Sequence, residues 1–427
     1  MLVKKTDSEI LQYALEYFQD YIKYESTSDP KNPNCPSSEK IWILAKRIKA
    51  DLEELGLKVE LDKNCYLYAT LPSNLPSGQK AKYTLGLIAH MDTSPDMNGK
   101  DIKARRLNYT GDPIILNEKH DNFLNQKEEA IVLSEDLFPN LAKYKDQDII
   151  VTDGHTLLGA DDKAGLVEIM ALVKYLINHP EIPHGDLKIA FTPDEEIGRG
   201  ADLFDVEKFA ADYAYTLDGS VLGEIEWENF NAAAAVIDIK GLSVHPGSAK
   251  NKMRNAMTLA AQFILAMPES ETPENTEGVE GFYHLVEMNG NVEDARLEYI
   301  IRDFDKENFA KRKSFMQELT AKFNESYPDE KVFSCQIQDS YYNMKEKIEP
   351  HRFLIDFAKQ AMQEIDIEPI ELPIRGGTDG SRLSFMSLPC PNLFTGGENF
   401  HGKYEYLSVE TMQKALDTIV ILVQKFI

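Results

Sequence analysis

Five short groups of acidic residues and histidines could do chemistry in this chain. They are His90-Met91-Asp92, Asp161-Asp162, Glu195-Glu196, Asp218 and His401. Histidine and carboxylate without thiolate suit divalent cations such as Zn²⁺, Mn²⁺ or Co²⁺. Each group alone also has an ordinary interpretation, as a helix N-cap, a solvated helix start or a turn. Their combination in one chain predicts a metal site.

The spacing within two of these groups suggests how they would work. Residues i and i+2 of a strand point to the same side, so His90 and Asp92 can face one pocket. Asp92 could bind a cation directly or accept the other ring N–H of His90. Of Glu195 and Glu196, one would hold a cation while the other takes a proton from water. The pattern alone leaves both choices open.

Charge balance favours two cations over one. Three acids would face the site: Asp161, Glu196 and Asp218. Three carboxylates and one shared hydroxide neutralise two divalent cations, which favours a cluster partly removed from water. A carboxylate shared between two ions holds them about 3.5–4 Å apart.

The groups follow predicted strands. Apolar runs at residues 83–89, 187–192 and 213–217 end in the first, third and fourth groups. An amphipathic helix follows Gly165, with apolar residues at helical spacing up to Ile177. Strands that alternate with helices predict an α/β fold with a doubly wound, mostly parallel sheet and its site at the carboxyl edge.

The pattern changes between residues 229 and 342. The predicted order there is β-α-β-β-α-β, typical of a ferredoxin-like α+β unit. We therefore predict a lid domain at 229–342, with a possible role in dimerisation. It interrupts a di-metal catalytic domain formed by residues 1–228 and 343–427.

Composition limits the partners. The 427 residues carry a formal net charge of −25, which argues against nucleic acid or an anionic membrane. The four cysteines are scattered and form no metal or disulfide pattern. The N-terminal residues resemble an amphipathic helix and no apolar run could span a bilayer, so we expect a cytoplasmic protein.

Seven motifs resemble the M20 family of di-zinc exopeptidases, and within it the tripeptide aminopeptidases. They are Ala89-His90-Met91-Asp92-Thr93, Gly159-Ala160-Asp161-Asp162-Lys163-Ala164-Gly165, Pro193-Asp194-Glu195-Glu196-Ile197-Gly198, Thr216-Leu217-Asp218-Gly219, Val244-His245-Pro246-Gly247, Ile374-Arg375-Gly376-Gly377-Thr378-Asp379-Gly380 and Asn399-Phe400-His401-Gly402-Lys403. The resemblance covers essentially the whole chain.

The resemblance implies a role for each side chain near the ions. Asp161 would bridge two Zn²⁺ ions, with a cis peptide bond between Asp161 and Asp162. The remaining ligands would be His90 and Asp218 on one ion, and Glu196 and His401 on the other. Glu195 would be the general base, and Asp92 would orient His90.

It also implies a substrate and a reaction. The enzyme would release the N-terminal residue of short peptides, chiefly tripeptides. Arg375 would bind the C-terminal carboxylate, although a structural ion pair is its ordinary alternative. His245 would polarise the scissile carbonyl from its own subunit or from a neighbour in a homodimer, unless it is an ordinary loop histidine. We interpret His120, His155, His179, His184, His284 and His351 as surface, loop or core residues.

Two other functions remain open at this point. Another M20-type hydrolase, such as a dipeptidase, a carboxypeptidase or an N-acyl amino acid deacylase, would have the same metal centre. A non-catalytic peptide-binding protein could retain the fold, but it has no use for an unligated Glu195 beside a metal-bound water.

Overall fold

The computed structural model describes residues 2–427 and divides the chain into two compact units. The first unit comprises the chain up to Trp227 together with Lys347–Leu372 and Thr378–Ile427. The second unit comprises Glu228–Glu346 and Pro373–Gly377.

Eleven α-helices are present in the described residues. They are α1 (Glu9–Tyr21), α2 (Glu39–Glu54), α3 (Asp121–Leu124), α4 (Ala160–Asn178), α5 (Val206–Phe209), α6 (Ala256–Leu265), α7 (Lys306–Asn324), α8 (Lys345–Ile348), α9 (Phe353–Gln363), α10 (Asp379–Phe385) and α11 (Val409–Leu422). None of the helices between residues 2 and 427 is long and apolar enough to cross a membrane.

The strands are numbered in chain order. They are β1 (Lys58–Leu61), β2 (Leu67–Leu71), β3 (Leu85–His90), β4 (Arg105–Asn108), β5 (Ile114–Ile115), β6 (Val132–Leu133), β7 (Asp148–Val151), β8 (Leu187–Thr192), β9 (Tyr213–Gly219), β10 (Glu224–Glu226), β11 (Asn231–Lys240), β12 (Phe282–Gly290), β13 (Asp294–Asp303), β14 (Phe333–Tyr341), β15 (Ile370–Glu371), β16 (Asn392–Phe394), β17 (Gly397–Glu398) and β18 (Tyr406–Ser408).

The first unit is built on an eight-stranded sheet in the order β1-β2-β8-β3-β9-β16-β10-β15. Its central strands β8, β3, β9 and β16 pair in parallel, whereas β1, β2 and β10 add antiparallel pairs. All six residues of β3 are buried, as expected for a strand covered on both faces. The predicted α/β class with a mostly parallel sheet is confirmed.

The stretch between β3 and α4 contributes a second, smaller sheet. Its order is β17-β18-β7-β4, and β5 and β6 form a separate pair. The sequence predicts only irregular strands and loops here, because the segments are short and polar. Strand β7 pairs with β18, in which Tyr406 lies opposite Val151, so no local pattern could reveal the pairing.

The second unit contains one antiparallel sheet in the order β12-β13-β11-β14, with α6 and α7 packed against it. This is the predicted split βαβ arrangement. The sequence pattern predicts a helix at about 248–267 here, but α6 begins only at Ala256. The Asn255 side chain accepts the N–H groups of Met257 and Thr258 and so caps the helix at that point.

Candidate metal centre

The ends of three parallel strands position the first candidate residues. His90 is the last residue of β3 and pairs with Thr192, the last residue of β8. Asp218 lies near the end of β9, the other neighbour of β3. Glu195 and Glu196 follow β8 in a short 3₁₀ turn. The carboxyl edge of the sheet therefore carries both the histidine and the acids.

The two adjacent aspartates at the start of α4 have different surroundings. Gly159 has a left-handed φ of 75°, and the Asp161–Asp162 peptide is cis, as the resemblance predicted. Asp162 accepts the N–H of Gly165 at 3.2 Å and that of His90 at 3.1 Å. Asp162 is thus the helix cap, while Asp161 faces the histidines.

Close packing brings α4 next to the sheet. A Cβ atom on Gly165 would lie 1.7 Å from the main-chain oxygen of Leu217 in β9. Only glycine permits this approach without movement of the backbone. The approach brings the aspartate pair beside the strand ends.

Asp161 lies between two histidines. Its Oδ1 is 2.9 Å from His90 Nε2, and its Oδ2 is 3.0 Å from His401 Nε2. Each carboxylate oxygen therefore approaches a different imidazole. This is the arrangement that a carboxylate bridging two ions would need.

The remaining acids surround the same two imidazoles. Glu196 Oε2 is 2.9 Å from His401 Nε2, and Asp218 Oδ1 is 3.6 Å from His90 Nε2. Glu195 Oε2 is further away, 4.0 Å from the same His90 atom. The five predicted ligands thus converge, and Glu195 lies at their margin.

The side chains alone do not balance the charge of this cluster. Burial raises the pKa of Glu196 to about 8 and that of Asp218 to about 6, although His401 and His90 oppose these shifts. Burial also works against ionisation of Asp161, but hydrogen bonds from the two histidines hold its pKa below the usual range. Hydrogen bonds to Asp161 and Glu196 raise the pKa of His401 to about 11. The acids compete for too few positive charges.

The donor set fits divalent cations. Two residue groups here could hold an ion: His90 with Asp161 and Glu196, and His90 with Asp162 and Asp218. Both oxygens of Asp162 already accept main-chain N–H groups, so Asp161 is the better ligand of the pair. Glu196 Oε1 is buried and has no hydrogen-bond partner in the described part of the chain, which leaves a lone pair available for a cation.

Asp92 contacts both the His90 ring and the turn that carries Glu195 and Glu196. His90 Nδ1 is 3.0 Å from the main-chain oxygen of Asp92 and 3.4 Å from its carboxylate. The carboxylate accepts the N–H of Glu195 at 3.0 Å and the N–H of Glu196 at 3.2 Å. One buried acid therefore positions both the histidine ring and the glutamate turn.

Sequence reasoning missed two buried acids beside the centre. Glu405 accepts the N–H groups of Leu158, Gly159 and Asp161 at 2.6–3.2 Å, which holds the loop before α4. Asp379 accepts the hydroxyl of Thr192 at 2.6 Å. Asp379 was visible within a motif, but Glu405 resembles any exposed loop glutamate in the sequence.

The two predicted substrate-binding residues belong to the second unit. Arg375 donates to the main-chain oxygen of Gly278 at 2.5 Å and to the hydroxyl of Thr276 at 3.2 Å. Its guanidinium also lies over the rings of Phe230 and Phe282. His245 is exposed, and its Nδ1 accepts the N–H of Gly247.

Comparison with known families and structures defines the class of protein. A family profile described as the peptidase dimerisation domain, M20_dimer, matches residues 227–331. The fold is similar to that of an aminopeptidase PepT from Bacillus cereus ATCC 10987, with a TM-score of 0.72 at 23% identity over 97% of this chain and 98% of that one. It is also similar to a tripeptidase from Staphylococcus aureus subsp. aureus Mu50, with a TM-score of 0.74 at 21% identity and the same coverage. The fold is that of an M20 peptidase.

A curated relative narrows the class to a family. The chain is 52% identical over 414 residues to a peptidase T of Geobacillus sp. (strain WCH70), which covers 96% of this chain and 98% of the relative. The chain therefore belongs to the peptidase T family. It is an enzyme, a metalloprotease of the M20 aminopeptidases, and the predicted resemblance is confirmed.

Proposed function

We propose that the chain releases the N-terminal residue of short peptides, chiefly tripeptides, at a centre that binds two Zn²⁺ ions. One observation carries the proposal: Asp161 presents one oxygen to His90 and the other to His401. A carboxylate shared in this way suits two neighbouring cations. Two such cations would polarise a peptide carbonyl and make water nucleophilic at neutral pH.

Each side chain of the centre has a distinct role in this proposal. The coordination of one ion would be completed by His90 and Asp218, and that of the other by Glu196 and His401. Asp92 acts indirectly, because it orients the His90 ring and accepts the N–H groups of Glu195 and Glu196.

Glu195 is the proposed general base. Burial raises its pKa above the usual value for a glutamate, which makes its carboxylate a stronger base. It would take a proton from the attacking water while the water oxygen bonds to the peptide carbon. It would then give that proton to the leaving amine as the C–N bond breaks.

Arg375 and His245 are the residues proposed to bind the substrate. Arg375 would bind the C-terminal carboxylate, and this role is supported by its contacts within the described residues, which are with neutral oxygens and ring faces. His245 would polarise the scissile carbonyl, from its own subunit or from a neighbour in a homodimer. Residues 229–342 would form the lid and dimerisation domain, and 1–228 with 343–427 the catalytic domain of a cytoplasmic enzyme.

A substrate series tests the proposal. Ala-Ala-Ala should be cleaved faster than Ala-Ala and Ala-Ala-Ala-Ala, and at least about 100-fold faster than N-acetyl-Ala-Ala-Ala. The reason is that a site built around a free amine leaves its polar groups unpaired against a blocked substrate. Product analysis should show free alanine and the dipeptide Ala-Ala.

The same series separates the alternatives. Equal turnover of the blocked tripeptide would contradict aminopeptidase action and favour a deacylase or carboxypeptidase. Preference for Ala-Ala would favour a dipeptidase. Binding of Ala-Ala-Ala without turnover in metal-loaded protein would indicate a peptide-binding protein.

A further inference from the structure

A second group of metal-ligating side chains lies on loops of the first unit, away from the strand ends. It consists of His120, Glu128 and His155, all partly buried. His120 Nδ1 is 3.1 Å from Glu128 Oε2, and His155 Nε2 is 3.2 Å from Glu128 Oε1. The Glu128 carboxylate thus faces two imidazoles, one with each oxygen. No pattern in the sequence assigns these histidines a function.

These close approaches are not hydrogen bonds. Glu128 Oε2 and His155 Nε2 are both buried from solvent and have no hydrogen-bond partner among residues 2–427. His120 Nδ1 accepts the N–H of Asn122 at 3.3 Å, so in a neutral ring this nitrogen carries a lone pair and no proton. Two lone pairs that face each other at 3.1 Å repel. A cation between them would convert that repulsion into coordination.

Another histidine of the same unit shows what an ordinary ion pair looks like. His179 also contacts two glutamates, Glu181 through Nδ1 at 3.0 Å and Glu9 through Nε2 at 3.1 Å. Both of these contacts have hydrogen-bond geometry, and they raise the pKa of His179. Protonation of His179 explains both of its contacts. Protonation of His120 would instead place its Nδ1–H directly opposite the N–H of Asn122, and two donors repel.

We propose that His120, Glu128 and His155 bind a further divalent cation, Zn²⁺, separate from the centre around Asp161. In a tetrahedral zinc site with bonds of about 2.0–2.2 Å, neighbouring ligand atoms lie roughly 3.4 Å apart. One ligand atom from each of His120, Glu128 and His155 lies within 4.8 Å of the other two, so a single ion can reach all three residues. Two neutral imidazoles and one carboxylate leave the fourth position to water. Coordination by His120 would release only the N–H of Asn122, which is exposed and can bond to water.

Buried hydrogen bonds hold the loops that carry these ligands. Asn117 donates to the main-chain oxygen of Glu129 at 2.8 Å and accepts the N–H of Ile131 at 2.9 Å, which fixes the backbone beside Glu128. The Thr152 hydroxyl donates to the main-chain oxygen of Thr156 across the loop that contains His155. That loop continues directly to Asp161. The ion would therefore fasten the 120–128 segment to the loop that enters the catalytic centre.

Metal counting tests this site on the untagged, full-length protein. After metal removal, reloading with Zn²⁺ and desalting, mass spectrometry should find three equivalents in the wild type. The His120→Ala/His155→Ala double variant and the isosteric Glu128→Gln variant should each hold two. The matched control His179→Ala should hold three, and turnover should be unchanged in all three variants.

Proteolysis gives a second readout that does not depend on activity. Lys127 is exposed beside Glu128, so trypsin should cleave after it in the metal-free protein. Zn²⁺ should slow that cleavage on the order of tenfold in the wild type and leave the double variant unaffected. Equal protection in both proteins would overturn the site.

The results distinguish this proposal from the proposed function. Two equivalents in the wild type, one of them lost in His401→Ala, would overturn the loop site and leave the catalytic centre intact. One equivalent, lost in the double variant, would retain the loop site and overturn the centre around Asp161. Three equivalents in the double variant would also overturn the loop site.

Discussion

The two groups of histidine and carboxylate in the first unit differ in what holds them. Around Asp161 the supporting groups are acidic side chains: Asp92, Asp162 and Glu405 all accept main-chain N–H groups. Around Glu128 the supports are a neutral amide and a hydroxyl, on loops and not at strand ends.

This difference indicates different tasks. The centre around Asp161 concentrates buried negative charge that only protons or cations can neutralise, and it has a spare acid, Glu195, at its margin. The loop group has a single carboxylate and no spare acid among its three side chains. We therefore expect chemistry at the first group and mechanical anchoring at the second.

Removing the spare acid should give the largest effect. Glu195→Gln keeps the shape of the side chain but removes the base, so kcat should fall by about 10²–10⁴-fold. The metal content should not change, because Glu195 is not a proposed ligand. Steady-state kinetics on Ala-Ala-Ala and metal analysis of the same preparation measure both quantities.

Glu128→Gln is the matched control for that comparison, because it is the same substitution in the loop group. It should leave kcat unchanged and remove one equivalent of metal. A Glu195→Gln enzyme with nearly normal kcat would show that the marginal acid is not the base, and the contrast between the two groups would fail.

Disturbing the acidic support should have a smaller effect. Asp92→Asn places an amide group against one of the N–H donors of Glu195 and Glu196, so the glutamate turn loses a hydrogen bond. We expect kcat to fall by about 10–100-fold, as is typical for partners behind metal ligands. KM for Ala-Ala-Ala should change little, because Asp92 does not touch the substrate.

The neutral support provides the comparison. Asn117→Ala should not affect kcat but should speed tryptic cleavage after Lys127, since the backbone beside Glu128 is no longer fixed. An equal loss of kcat in Asn117→Ala and Asp92→Asn would mean that the two groups are mechanically coupled and not independent.

The same contrast explains which features the sequence could predict. The residues around Asp161 follow apolar strands, and parallel strands bring their ends to one edge, so His90 and Asp218 were predictable as neighbours. Their partners Glu405 and Asp162 were not assigned, because a buried acceptor of N–H groups has no signature in composition or spacing. His120 and Glu128 lie between the paired strands β5 and β6, whereas His155 follows β7, which pairs with β18 far along the chain. Only the folded arrangement reveals that they meet.

Replacing Glu405 should have the smallest effect on turnover. It should, however, change how the stability of the protein depends on pH. Burial raises its pKa from 4.5 to about 7, although the N–H groups of Gly159, Asp161 and Leu158 oppose the shift. In the unfolded chain this carboxyl loses its proton near pH 4.5, whereas in the folded chain it keeps the proton until about pH 7. Between these values the unfolded state binds fewer protons, so the free energy of unfolding falls as pH rises.

Denaturant unfolding of the metal-free protein at pH 5 and pH 7.5 measures this response. Glu405→Gln should reduce the stability lost between the two pH values by about 1–3 kcal/mol, because each unit of pKa shift corresponds to about 1.4 kcal/mol. His120→Ala should leave the wild-type loss unchanged, since the loop group has no comparably buried acid. If Glu405→Gln loses as much stability as the wild type, Glu405 is ionised in the fold at pH 5. The centre would then be supported by a permanent charge and would differ even more strongly from the loop group.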